Sequence, residues 1–238
     1  GGLFHPGALP QLAAAELGNR ALLEAVRGLS LFEDDGHVLR RVNYAALDVE
    51  ELGSIYEGLL DYAPACDGGR FTLSPGSTRK ETGSYYTRSE LVQELITSAL
   101  GPVMEEKLRA AGAGSAARQQ ALLELAVCDP ACGSGHFLLA AGRRLALELA
   151  RLRSPGGEPA GDDYHRALRE VISHCLDGVD LNPLAVDLCR LALWLEGYCE
   201  GMPLSFLDHH IRCGNSLAGV LDPAVLEAGI PGAAFEPV

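Results

Sequence analysis

Asp129-Pro130-Ala131-Cys132-Gly133-Ser134-Gly135 is the stretch that decides the fold. An apolar run from Leu122 to Cys128 leads into it, and an Ala/Leu/Arg pattern at helical spacing from Phe137 to about Arg153 leads out. The order is strand, glycine turn, helix. Gly133 and Gly135 permit a tight turn, and nearly bare backbone lets a ligand come close to the strand end. Asp129 stands at the carboxyl edge of the strand, able to accept from an ammonium or hydroxyl, while the following helix presents unpaired N–H groups. The turn is neither a GxxxxGK[ST] phosphate loop nor a GxGxxG dinucleotide fingerprint, since the third residue after Gly135 is Leu138.

Downstream, a polar segment at 154–163 reads as a surface loop, followed by a helix from about Tyr164 to His174 and a short strand from Leu176 to Leu181. Pro183 opens an amphipathic helix running to about Glu196, and Leu204 to Cys213 reads as a third strand. Strands alternating with helices predict an α/β fold with a doubly wound, Rossmann-like parallel sheet. Upstream, helical patterns run from about Ala8 to Val26 and from Leu47 to Leu60. Residues 1–62 are therefore expected to form a small helical unit, 63–82 a linker of loop or short hairpin, 83–220 the main domain and 221–238 a tail. Thr87, with Glu90 three residues on, predicts a capping box for a helix whose apolar face carries Leu91, Val92, Leu95, Ile96, Ala99 and Leu100.

The net charge of −13, with 32 acidic against 19 basic side chains, is the wrong sign for a surface that grips nucleic-acid phosphates on its own. Seven scattered cysteines with no CxxC pair point to neither a disulfide framework nor a zinc site. No segment is apolar enough to cross a bilayer, which leads to the expectation of a cytoplasmic protein without membrane contact. The first residues, Gly1 and Gly2, read as an internal cut or tag scar, so a piece of a longer protein is expected.

DPACGSGHF, residues 129–137, resembles motif I of class I S-adenosylmethionine-dependent DNA amino-methyltransferases. The likeness extends along the chain in order. Gly83-Ser84-Tyr85-Tyr86-Thr87 resembles motif X in the gamma arrangement, Gly178-Val179-Asp180-Leu181-Asn182-Pro183 motif II, and Cys213-Gly214-Asn215-Ser216-Leu217 motif III. Leu52-Gly53-Ser54-Ile55-Tyr56-Glu57 is similar to the helical segment before motif X in large type IIG restriction-modification and BREX phage-exclusion methyltransferases. The resemblance covers about residues 47–219 and implies S-adenosyl-L-methionine as cofactor, held by Tyr86, Thr87, Asp129, Ala131, Gly133, Gly135, Phe137, Asp180, Leu181 and Asn215. It implies an adenine-N6 reaction on DNA bound through parts outside this chain, with other restriction or defence-system subunits as further partners.

Each assignment has a bland counterpart. Asp180 suits two ribose hydroxyls, with Asn182 left to cap the next helix. Asn215 suits an adenine edge, although Gly-Asn is ordinary turn chemistry. Thr87 reads as both N-cap and hydroxyl donor to the cofactor carboxylate; Arg88 follows where many relatives have proline. Tyr85, Tyr86 and Phe137 suit either cofactor pocket or core. His136 reads as exposed turn, Trp194 as core beside Leu191 and Leu195, and His209 and His210 as strand neighbours facing opposite sides.

Methyl transfer to an exocyclic amine needs acceptors for the amine hydrogens and an aromatic plane for a flipped base. The family supplies these with Asn/Asp-Pro-Pro-aromatic, motif IV, and no Pro-Pro dipeptide occurs in the 238 residues. Cofactor binding without turnover is expected. The competing readings are a class I methyltransferase acting on RNA or a protein glutamine, and a non-catalytic module that keeps the fold for a partner.

Overall fold

The computed structural model describes residues 18–44, 48–59, 62–67, 70–75, 87–154, 156, 159–202 and 207–218. Tyr86 and the rest of the motif X string before Thr87 lie outside them, as do residues 1–17 and 219–238.

Helix α1 (Asn19–Ser30) runs into an antiparallel hairpin of β1 (Leu31–Glu33) and β2 (Leu39–Arg41) that the helical reading of residues 1–62 did not anticipate. The missed signal is Asp34-Asp35-Gly36, where the Asp34 carboxylate accepts from the N–H groups of Gly36 and Val38 at 3.0 and 2.9 Å and so closes the turn. Helix α2 (Val49–Leu59) follows, then a second hairpin of β3 (Tyr62–Asp67) and β4 (Arg70–Pro75).

The main domain opens with α3 (Ser89–Leu95), a π-helical stretch over Ile96–Leu100, and α4 (Gly101–Ala110), one helical rod with a widened turn at its middle. Gly101-Pro102 falls just after that turn, where slack in the hydrogen-bond ladder accommodates a proline that lacks an N–H. The predicted apolar face is corrected. Val92 and Ile96 are buried, but Leu91 and Leu95, one position earlier on the same helix, are 61% and 48% exposed, so the buried stripe is narrower than the apolar one.

After α5 (Ser115–Leu123) comes a parallel three-stranded sheet of β5 (Val127–Asp129), β6 (Leu176–Asp180) and β7 (Ile211–Cys213), in that order. Helices α6 (His136–Arg153) and α7 (Gly161–Cys175) connect β5 to β6; α8 (Pro183–Glu196) and α9 (Leu207–His210) connect β6 to β7. The strands add in one direction only. Among the described residues the sheet is thus parallel with helical crossovers, the coarser part of the predicted α/β architecture. The third strand is also shorter than predicted, since residues 207–210 turn as helix; His209 and His210 are therefore not strand neighbours.

The core lies between α6, α7, α8 and the sheet. Leu138, Leu145 and Leu149 of α6 have no exposed surface, and Ala167, Leu168, Val171, Ile172 and Cys175 of α7 repeat at helical spacing on its buried side. Gly142, mid-helix in α6, sits where a Cβ would stand 3.1 Å from Leu176 Cδ1, so its absence brings helix and strand close. Trp194 and Leu195 are each 41% exposed, which overturns the core reading of the tryptophan: that side of α8 faces away from the sheet, and the Trp194 ring rests on Tyr198 with centroids 5.5 Å apart.

Candidate functional site

Parallel pairing sets Asp129 opposite Gly178 and Asp180 opposite Cys213, so both aspartates lie at the carboxyl edge of the sheet. That is the edge where loops of parallel sheets hold ligands. The turn from Pro130 to Gly135 curls over it and is fixed by its backbone. Cys132 N–H donates to Val179 O at 2.9 Å, Gly135 N–H donates to Cys132 O at 2.8 Å, and Ala131 N–H donates to the Asp129 carboxylate at 3.0 Å.

Asp180 joins the two sequence motifs directly. Its Oδ2 accepts from Gly133 N–H at 2.9 Å and its Oδ1 from Asn182 N–H at 2.8 Å. The expectation of a carboxylate free for ligand is corrected: one oxygen braces the glycine turn at Gly133 and the other accepts from Asn182 at the start of the next helix, which leaves about two of its four lone-pair sites for other donors. Asn182 fills the cap of α8, accepting from Leu184 N–H at 3.1 Å. The backbone carbonyl of Asp180 in turn accepts from Gly214 N–H at 2.9 Å, drawing the motif III string to the same edge.

Both glycines of the turn adopt positive φ, +52° at Gly133 and +96° at Gly135, yet their surroundings differ. A Cβ on Gly135 would stand 2.7 Å from Cys189 Sγ, whereas one on Gly133 would meet nothing within 4 Å among the described residues. Gly135 is the packed side of the turn; Gly133 is its open side. Behind it, Cys132 and Cys189 are buried and hydrogen-bonded to each other, and that bond together with burial pushes the Cys189 thiol well above its ordinary value. Neutral thiols of this kind pack rather than react.

Burial, and secondarily the charge of Asp180, raises Asp129 above the usual carboxylate range against the lowering effect of the Ala131 N–H. Two acids at the mouth of a turn that leads into a helix N-terminus have the chemistry to receive a ligand carrying both a cationic and an anionic group. Beside Asp129 lies a largely apolar cavity of about 320 Å³, lined by Leu95, Ile96, Leu100, Val127, Phe137 and Leu138. Two larger concavities, of about 560 and 590 Å³, lie away from the glycine turn and contain none of its residues.

The remaining residues singled out from sequence fall as follows. Ala131 and Leu181 are exposed at the mouth, and Phe137, half-buried, borders the cavity. Asn215 is exposed and its Oδ1 accepts from Leu217 N–H at 3.0 Å, so it closes its own turn. Thr87 is half-buried but does not cap α3: Arg88 holds the cap position, and its carbonyl accepts from Leu91 and Val92. The helix begins two residues after the threonine, which corrects the capping box. His136 is corrected too; it is 8% exposed at the first position of α6. Sequence reasoning missed Gly53, Ser134 and Arg143, which tie α2 to the turn; the mid-helix glycine in Leu52-Gly53-Ser54 was the available signal.

With this geometry in place, residues 108–217 match the family model described as the DNA-methyltransferase domain of MmeI. A putative type II restriction enzyme and methyltransferase of Methanocaldococcus jannaschii is 23% identical over 267 aligned positions, spanning 97% of this chain and 22% of that protein. The adenine-specific methyltransferase PglX of Streptomyces coelicolor is 41% identical over 78 positions, 33% of this chain and 6% of that protein. The chain thus spans about a fifth or less of the length of these relatives. Among solved structures, the type IIL restriction-modification enzyme MmeI in complex with DNA aligns with a TM-score of 0.46 and 19% identity, covering 66% of this chain and 20% of that one. The similarity of this chain is to DNA methyltransferases of restriction-modification type.

Proposed function

We propose that this chain is the cofactor-binding portion of a DNA adenine-N6 methyltransferase of a restriction-modification or phage-defence system, with S-adenosyl-L-methionine as cofactor on a Rossmann-like sheet. The observation that carries the reading is the bracing of Gly133 by Asp180: a carboxylate from the second strand fixes a glycine turn from the first and leaves the Gly133 face open. Among the described residues this geometry fits the cofactor. The open face suits close approach of a ligand, Asp129 suits an ammonium, the remaining acceptor capacity of Asp180 suits ribose hydroxyls, and the apolar cavity beside Phe137 suits uncharged parts of the molecule. When bound, the cofactor supplies an electrophilic methyl group.

The chain's own residues position rather than react. With a net charge of −13 and no Pro-Pro motif, it leaves the target base and most of the DNA grip to sequence outside these residues. We read the relatives' names in the same direction: one is called an adenine-specific methyltransferase and the other a restriction enzyme and methyltransferase.

Thermal unfolding in the presence of ligands tests the reading. S-adenosylmethionine and S-adenosylhomocysteine are expected to raise the midpoint with the logarithm of ligand concentration, adding about 2.7 kcal/mol of stability at a hundredfold excess over Kd, while ATP and NAD do not. The stabilisation also depends on pH in a defined sense. Asp129 must be ionised to pair with the cofactor ammonium, and its raised pKa means that this pairing, present at neutral pH, is lost on acidification before an ordinary aspartate would protonate. Asp129→Asn removes that step. Equal stabilisation by ATP or NAD would sink the assignment.

A further inference from the structure

We propose that α2 is a positioning element of the cofactor site, holding the Gly133–Gly135 turn in its binding geometry through direct backbone contact at Gly53. The proposal rests on the cofactor reading above and extends it to a helix outside the residues matched by the methyltransferase family model.

Ser134 lies between two positive-φ glycines, the least constrained pair of positions in the turn. Hydrogen bonds fix its neighbours from the sheet side, through Gly133 N–H to Asp180 and Gly135 N–H to Cys132. On the other side stands α2. Gly53 is buried, and a Cβ there would stand 2.9 Å from Ser134 Cβ, closer still to Ser134 Oγ, and 3.6 Å from His136 Cε1. Ser134 is 9% exposed as a result. A glycine inside a helix costs about 0.5–1 kcal/mol relative to alanine, and here its bareness sets the distance between helix and turn. Gly58, on the same helix, meets nothing within 4 Å among the described residues and marks the contrast.

The helix is held in register by charge. Asp48 N–H donates to Glu51 Oε2 at 2.9 Å, a capping box that starts α2. Arg143 of α6 donates to Asp48 Oδ1 at 3.3 Å and to both oxygens of Glu196, at 2.6 and 3.1 Å. Glu196 ends α8. One guanidinium thereby links the start of α2 to the two helices that leave the binding strands, and α2 also packs along α8. A helix that merely covered the core would need neither the glycine contact nor this clamp.

The experiment is S-adenosylmethionine titration, with hydrogen exchange at the turn amides, of Gly53→Ala, Gly58→Ala, Ser134→Gly and the Gly53→Ala/Ser134→Gly double variant. Gly53→Ala is expected to weaken affinity tenfold or more and to speed exchange at Cys132, Gly133 and Gly135 while exchange in β6 holds. Gly58→Ala changes neither. Removing the Ser134 side chain makes room, so adding Gly53→Ala to Ser134→Gly costs less than threefold. Asp48→Ala, at an exposed helix start, releases the clamp without entering the core and is expected to weaken affinity at least threefold. Affinity and exchange within twofold of wild type for Gly53→Ala, or an undiminished loss in the Ser134→Gly background, would overturn the proposal. Should Gly53→Ala fail to fold, unchanged affinity and exchange in Asp48→Ala overturn it instead. Exchange is read without ligand, so a folded wild-type chain that binds no cofactor refutes the cofactor reading while leaving the role of α2 to be decided by the amides.

Discussion

Asp180→Ala is expected to weaken S-adenosylmethionine binding by about a hundredfold and to lower stability by about 2–3 kcal/mol. A hundredfold loss is about 2.7 kcal/mol, the size of one charge-assisted hydrogen bond from the carboxylate to a ribose hydroxyl, at about 1.5–3 kcal/mol. The stability loss has a separate origin. Gly133 and Asn182 N–H groups, now bonded to the carboxylate at 2.9 and 2.8 Å, are left without that acceptor in partly buried surroundings. Asp180→Asn keeps one acceptor oxygen but turns an NH₂ toward a donor, so it falls between wild type and alanine. Calorimetric titration and denaturant unfolding read the two effects independently; an alanine variant that keeps full affinity would remove Asp180 from the ligand.

The second large effect separates the two glycines of the turn. Gly135→Ala combines a backbone at φ +96° with a Cβ 2.7 Å from Cys189 Sγ, in a place where helix and turn cannot part without disturbing α8. Left-handed strain of about 1–2 kcal/mol and overpacking of about 1–3 kcal/mol add to a destabilisation of roughly 2–5 kcal/mol. Gly133→Ala carries only the strain, since no described residue lies within 4 Å of the new methyl, but that methyl occupies the open face. It is expected to cost little stability and much affinity. A reversed pattern, with Gly133→Ala the less stable of the two, would contradict the division of the turn into packed and open sides.

The same division explains what was legible in the sequence. A strand, a glycine pair and an amphipathic helix are local patterns, and α6, α7, β6 and α8 fall within a few residues of where periodicity and Pro183 put them. Asn182 as the cap of α8 was equally local, because Asn-Pro at a helix start has one obvious geometry. What failed depended on contacts distant in sequence or on slips in the ladder. The π turn at 96–100 breaks the regular ladder between α3 and α4, and no hydrophobic period foretells it. His136 looked like turn and is buried because α2, over eighty residues earlier, lies against it. Trp194 looked like core because its helix is apolar on more than one side, and which side meets the sheet is decided by where β7 runs. The site residues were legible as types, two acids and two glycines at strand ends. Their division of labour, with Asp180 serving the turn as well as any ligand, required the distances.

The most direct test of the central claim is calorimetric titration of the 238-residue chain with S-adenosylhomocysteine at neutral pH. The account predicts saturable binding at one site per chain, abolished or weakened about a hundredfold by Asp180→Ala. A chain that unfolds cooperatively, and is therefore folded, yet shows no binding heat at any temperature tried and no ligand-induced shift in its unfolding midpoint, would contradict it.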